Sequence, residues 1–237
     1  MKIFKMKKTK KYIKIYSHPR SGTHFLEAFL AKNFYNGDNL SSDGSIYFGH
    51  WSNKILLEEG EPYHKLFGNH FFPNKCNNDP RMIYIYRDGR AVIASIWNSK
   101  FYNKEWASLT FSEFLRKDID WYGGMGQKKY PKMNIVEHWY KHTESWLNVV
   151  NPNLLIIRFE DLKNNPNLVY LNICERFFSY KYYKSKIFRL NKVEPIINKV
   201  GLSPNKATIS SWKNIFSDED LNFFYSQLPT KKFLFNE

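Results

Sequence analysis

The sequence predicts an α/β fold with a central parallel β-sheet flanked by helices, and three stretches predict it. Residues 12–30, 81–97 and 154–170 each begin with a short apolar or β-prone run, pass through a loop and continue with helical spacing. Strands that alternate with helices lie parallel, because the chain crosses back over a sheet face between them. The 237 residues fit a single domain, 1–237, long enough for a full core. A hydrophobic content of 43% and an aromatic content of 18% exclude a disordered chain.

In the first unit Tyr12, Ile13, Ile15 and Tyr16 form the strand, and Ser17-His18-Pro19-Arg20-Ser21-Gly22 ends it. Helical spacing starts at Thr23 and runs through Phe25, Leu26, Phe29 and Leu30. Gly22 permits the turn, and the loop amides with the first free N–H groups of the helix converge on one spot. Such a spot attracts a phosphate or sulfate; Arg20 adds a fixed charge, and the Ser21 and Thr23 hydroxyls add donors. A Walker A loop would read G-x-x-x-x-G-K-[ST]. Here Thr23 and His24 follow Gly22, and Ser17 stands at the first glycine position, so the loop suits a terminal phosphate without the lysine and metal of a nucleoside triphosphate site. Taken alone, a Ser-Gly-Thr turn that serves only packing explains these residues equally well.

Residues 35–43 read as a polar loop, and 45–51 as a second strand or a substrate-side segment. The run 64–73 predicts a short strand ending in His70, with Pro73 stopping it. Ligand crevices of open α/β sheets lie at the C-terminal strand ends, which puts His70 on the same rim as Arg20. On these residues alone, a general base and a structural strand-end histidine are equal readings. The buried strand 81–86 leads into Arg87-Asp88-Gly89-Arg90 and an apolar helix, a second strand-loop-helix anion site. Arg87 and Ser95 are eight residues apart, about two helical turns, so both can flank one phosphate. A solvated turn is the plainer reading of Arg-Asp-Gly-Arg in isolation.

Residues 102–130 are irregular apart from a predicted helix over 111–117, and GGMGQKKYP reads as a mobile, acceptor-facing lid. Helical spacing returns over 133–150, where Trp139, Tyr140 and Trp146 form a core stripe. The last unit is the strand 154–159, then Glu160-Asp161, then a helix after Pro166. Paired catalytic carboxylates or a metal site are tempting readings of this acidic pair.

Several of these segments together resemble the sulfotransferases that use 3′-phosphoadenosine 5′-phosphosulfate (PAPS). SHPRSGTHFLEAFL is similar to the family's 5′-phosphosulfate loop, with Arg20 at its basic position and Thr23 and His24 at its two hydroxyl positions; His24 departs from the usual Thr or Ser. RDGRAVIAS resembles the 3′-phosphate segment, implying that Arg87 and Ser95 bind that phosphate, with Gly89 in place of the usual Pro. His70 falls on the histidine of K-T-H-x-P, implying a general base, while Gly68 replaces the lysine. RFEDLKNNP matches L-x-[IV]-x-Y-E-D-[LM]-x-x-x-P, which implies that Phe159 is an adenine wall, with Phe25 a second candidate. The match implies also that Glu160 and Asp161 organise the turn and cap a helix rather than act in catalysis. Ser211-Trp212-Lys213-Asn214 is similar to the family's C-terminal D-W-K-N, and the preceding phosphate-wrapping residues fall on Asn205-Lys206-Ala207, where only Lys206 keeps the chemistry.

The resemblance, running from about Tyr12 to Phe216, implies a P-loop NTPase-like sulfotransferase fold. It implies in-line sulfuryl transfer from PAPS to a hydroxyl acceptor, a carbohydrate or another alcohol or phenol. His70 takes the acceptor proton, Arg20 stabilises the leaving phosphate, and Ser95 lies near both phosphates. No metal is needed on this reading. Two rivals are weighed: a P-loop kinase or NTPase, which requires the missing Gly-Lys-[Ser/Thr] loop, and a basic nucleic-acid-binding module. The net charge of +14 suits the second, yet it equally suits steering of a polyanionic cofactor, and a general Lys/Asn bias produces the same scatter of lysines. No nucleic-acid partner is expected.

Apolar runs of only a few residues predict no membrane span, and MKIFKMKKTKK is followed by no apolar region of a signal peptide. With Cys76 and Cys174 outside any metal-ligand spacing, a cytoplasmic protein is expected. The acceptor's identity and the oligomeric state are left open.

Overall fold

Among the described residues, three parallel strands carry the frame: β1 (Lys14–Ser17), β2 (Met82–Tyr86) and β3 (Leu154–Arg158), in the order β1-β2-β3. The structure is a computed structural model and describes residues 13–34, 70, 72–73, 81–99, 108–118, 132–178, 190 and 209–229. Ile15 sits beside Ile83 and Ile83 beside Leu155, so the strands run in step. Ser17 pairs with Ile85 and Tyr86 with Arg158, which brings all three C-terminal strand ends to one edge.

Alternation along the strands fills both faces. Ile15, Ile83, Ile85 and Ile157 face α1 (Thr23–Phe34), α5 (Phe159–Asn164) and α6 (Pro166–Phe177) in one core. Tyr16, Met82, Tyr84 and Leu154 point the other way and pack on Trp146 of α4 (Ile135–Leu147). Tyr84 stacks on Trp146 with centroids 5.1 Å apart and rings 9° from parallel. The central strand β2 is apolar or aromatic at every position and packs on both faces, and each fully buried isoleucine contributes about 1.5–3 kcal/mol.

A second apolar layer joins α2 (Gly89–Ser99), α3 (Phe111–Arg116), α4 and the C-terminal helix α7 (Asp218–Ser226). Their starts are set by side chains. Thr110 and Glu113 form a capping box on α3, Asn134 accepts from the Glu137 amide on α4, and Ser217 and Asp220 form a capping box on α7. Pro166 opens α6 at a position where its missing N–H costs nothing.

The expected helices over 111–117 and 133–150 are present as α3 and α4. Two local expectations change. His70 lies in a 3-10 turn rather than at the end of a strand. Glu160 and Asp161 lie inside the first turn of α5 instead of capping a helix, because the chain turns helical directly at Phe159. The segments read as a polar loop, a substrate-side segment and an acceptor-facing lid lie outside the described residues, as do Gly68, Cys76 and Lys206. Among the described residues, no helix is long and apolar enough to cross a membrane.

Candidate active site

The loop after β1 is shaped by two residues with positive φ, Arg20 at 67° and Gly22 at 97°. Arginine in this region is uncommon and costs free energy, so surrounding contacts must hold it there. Gly22 has a further reason to be glycine: a Cβ there would lie 2.3 Å from Phe159 Cδ2. The loop therefore rests on the Phe159 ring, and α1 begins immediately after it. The Ser21 amide donates to the His18 carbonyl at 3.2 Å and closes the turn. Among the described residues the fully buried Ser21 hydroxyl has no hydrogen-bond partner, which leaves a buried donor in the loop unsatisfied by the protein. The Thr23 and Ser17 hydroxyls bond each other at 2.6 Å, so Thr23 is held toward the strand end.

Arg20 joins the two anion segments. Its Nε donates to Ser95 Oγ at 3.0 Å, and its carbonyl accepts from Arg87 Nη1 at 3.3 Å. Arg87 is 2% exposed and lies over the Phe159 ring, 4.7 Å from the centroid. Burial lowers its pKa to about 10; the negative charges of Glu160 and Asp88 oppose this and Arg20 adds to it, so the guanidinium stays charged at pH 7. Glu160 also accepts from the Asp88 amide at 3.2 Å and from Arg158 Nε at 3.2 Å, which locks the end of β3 to the start of α2.

Aromatic side chains floor the site. Phe159 is 1% exposed, enclosed by Gly22, Arg87 and Phe25, whose ring stands edge-on 5.7 Å away. An enclosed ring has no face to offer an adenine. Phe159 is thus a support under the loop rather than a wall, and Phe25, only partly buried, keeps the wall reading.

His70 is bound to the same strand end. Its Nδ1–H donates to the Ser17 carbonyl at 2.9 Å and lies 3.4 Å from Ser17 Oγ, which makes Nε2 the basic nitrogen. Burial lowers its pKa to about 4, the hydrogen bond to Ser17 opposes this, and the neighbouring His24 adds to it. The ring is therefore neutral at pH 7. His24 pairs through Nδ1 with Glu27 Oε2 at 2.8 Å, using the buried carboxylate one turn along α1.

Sequence reasoning missed several residues of this region. The expected core stripe is Trp139, Tyr140 and Trp146, whereas Tyr84, His138 and His142 beside it form a buried polar cluster against the site. Lys163 on α5 has its pKa lowered by burial and by the nearby Arg87 charge, which marks a further cation on that side. Arg90 is held by Asp88 at 2.7 Å and lies 3.9 Å from the Trp212 centroid, tying the second loop to the tail. Two of these had a sequence signal: Arg90 in the nearby Trp-Lys-Asn, and His142 in the Trp-x-x-His-x-x-x-Trp spacing of its helix.

A sequence profile described as a sulfotransferase domain matches residues 10–228. The chain belongs to the sulfotransferase domain family. No curated protein sequence matches it. Among solved structures, the sulfotransferase is similar to the mouse sulfotransferase SULT7A1, crystallised with PAP, at 20% identity and a TM-score of 0.54, over 92% of this chain and 83% of that one. It is similar also to retinol dehydratase, solved with retinol and PAP, at 16% identity and a TM-score of 0.54, over 92% and 80%. At these identities the likeness speaks to the fold, and the two cover nearly the whole sulfotransferase.

Proposed function

We propose that this sulfotransferase moves a sulfuryl group from PAPS to a hydroxyl acceptor, with His70 as the base. The observation that carries this is the single cationic site built where β1 and β2 end. Arg20 bonds Ser95 at 3.0 Å and Arg87 bonds the Arg20 backbone at 3.3 Å, while His70 is tied to Ser17 on the same rim. One doubly phosphorylated nucleotide can therefore touch both arginines. The orphaned Ser21 hydroxyl and the positive-φ turn at Gly22 fit its 5′ end.

When bound, PAPS supplies the sulfuryl group and an adenosine 3′,5′-bisphosphate leaving group. Arg20, the Ser21 hydroxyl and the amides at the start of α1 hold the 5′ phosphate oxygen that gains charge as its bond to sulfur breaks. Arg87 and Lys163 hold the 3′-phosphate, and Ser95 hydrogen-bonds between the two cationic groups. Phe25 borders the base. His70 Nε2 takes the proton of the acceptor hydroxyl as its oxygen bonds to sulfur, and burial keeps that nitrogen in its proton-accepting form at pH 7. The acceptor is a carbohydrate or another alcohol or phenol.

A thermal-shift comparison of adenosine 3′,5′-bisphosphate with AMP and ATP tests the reading. A larger shift with the bisphosphate is expected; equal shifts for all three, or none, count against it. Labelled PAPS with a panel of glycans, phenols and sterols then identifies the acceptor.

A further inference from the structure

Among the described residues His70 lies in a 3-10 turn and is not part of the three-stranded ladder. A chain of three hydrogen bonds that begins in the core reaches it. The Tyr84 hydroxyl on β2 is 3.0 Å from His142 Nδ1, and His142 Nε2 is 3.2 Å from the His70 carbonyl oxygen. His70 Nδ1 in turn is 2.9 Å from the Ser17 carbonyl. Each proton has one consistent place. His142 Nε2 must carry one to meet a carbonyl, His142 Nδ1 then accepts from the Tyr84 hydroxyl, and His70 Nδ1–H meets the second carbonyl. Burial raises the Tyr84 pKa, so its hydroxyl remains a donor across the working range.

His142 is fully buried on α4 with Phe72 edge-on 5.1 Å away, so it does not touch a bound substrate itself. One turn earlier on the same helix, His138 Nδ1 is 3.0 Å from His18 Nε2 in the anion loop. One rigid helix thus grips both the loop that holds the leaving phosphate and the turn that carries the base.

We propose that His142 is a positioning residue for His70, donating to its main-chain carbonyl so that the imidazole keeps one tautomer and aims Nε2 at the acceptor. This rests on the reading of His70 as base, and the two fail separately. The groups facing His70 are the Ser17 hydroxyl and carbonyl, His24, His18 and His142.

The test compares His142→Leu, which removes the donor, with His142→Gln, whose side-chain amide nitrogen replaces Nε2–H, in the full chain. Imidazole ¹⁵N NMR of the free protein is expected to show His70 fixed as the Nδ1–H tautomer and neutral at pH 6 in the natural protein and in His142→Gln. In His142→Leu the two tautomers should exchange, and the His70 titration should move up by at least one pH unit toward that of a hydrated imidazole. With labelled PAPS and the best acceptor of the panel, kcat should fall 10- to 100-fold in His142→Leu, with KM and bisphosphate affinity within about twofold, and recover most of the loss in His142→Gln. An unchanged His70 signal in His142→Leu, or equal losses in both variants, overturns the proposal. Should the leucine variant not fold, Tyr84→Phe deletes only the hydroxyl at the head of the chain, and an unchanged His70 tautomer there overturns it as well. Retained turnover in His70→Ala removes the base reading instead, whatever His142 does.

Discussion

Gly22 and Arg87 show how much a single residue decides here. Adding one methyl at Gly22 forces the loop off φ 97° and off the Phe159 ring, which a Cβ would approach to 2.3 Å. Overpacking and strain of this kind cost roughly 1–3 kcal/mol each. Gly22→Ala should therefore lower Tm by about 4–24 °C, at 2–4 °C per kcal/mol for a chain of this size, and abolish the bisphosphate-induced shift. A variant that melts normally and still responds to the bisphosphate contradicts the packing described. Arg87→Ala should weaken binding of adenosine 3′,5′-bisphosphate at least tenfold while AMP binding changes little, because the side chain is assigned to the 3′-phosphate. Titration calorimetry with both ligands decides this, and equal losses refute the assignment. His24 is less orderly. It pairs with Glu27 one turn along α1, at the position where the family resemblance expects a hydroxyl.

Between elements, polar groups at helix ends do what the apolar layers cannot, which is to choose one register. Asp220 is 2% exposed and accepts from Ser112 at 2.7 Å, Arg116 at 2.6 Å and the Ser217 amide at 3.4 Å, so α7 is fastened to α3 through its own cap. Burial pushes this carboxyl pKa up, but its hydrogen bonds from Arg116, Ser112 and Ser217 outweigh burial, and the net shift is downward. Asp220→Ala removes a cap and leaves Arg116 without this contact, a combined loss of about 2–3 kcal/mol. A thermal melt should show a drop of roughly 4–12 °C, and a drop under 2 °C would mean the α3–α7 seam is carried by Phe111, Phe216 and Phe224 alone. Gly89 is the comparable point for α2. A Cβ there would meet Trp139 at 2.5 Å, so the helix can approach α4 only without one.

At the scale of the whole molecule, the buried histidines set how stability responds to acid. His18 has its pKa lowered to about 3 by burial, opposed by the Pro19 carbonyl and assisted by His70; His70 is lowered to about 4; and His138 lies well below the ordinary value, with His18, His142 and Lys141 facing it. An unfolded chain protonates these rings near pH 6.5, while the fold refuses the proton, so their contribution is full above pH 6.5 and is lost as pH falls toward 4. Each can contribute a slope of up to roughly 1.4 kcal/mol per pH unit in that window. Thermal melts from pH 7 to 4.5, a range above most carboxylate titration, should show a steadily falling Tm, and a flat profile would mean that the cluster is hydrated. The same cluster ties α4 to the loop after β1 and to the turn that carries His70.

Much of the architecture is legible along the chain, for a definite reason. The strands 14–17, 82–86 and 154–158 are rich in β-prone apolar residues and each leads into a helix, so local pattern and fold agree. Arg20, Gly22, Arg87 and Ser95 likewise sit in motifs whose spacing is local to one loop or one helix. What the tertiary structure alone decided involves residues distant in sequence. It enclosed Phe159 beneath Gly22, put Lys163 beside Arg87 and linked Tyr84, His142 and His70 through hydrogen bonds. A buried histidine and a core aromatic look alike in a helical stripe, because periodicity reports which face is buried and carries no information about which polar atoms meet across the interior.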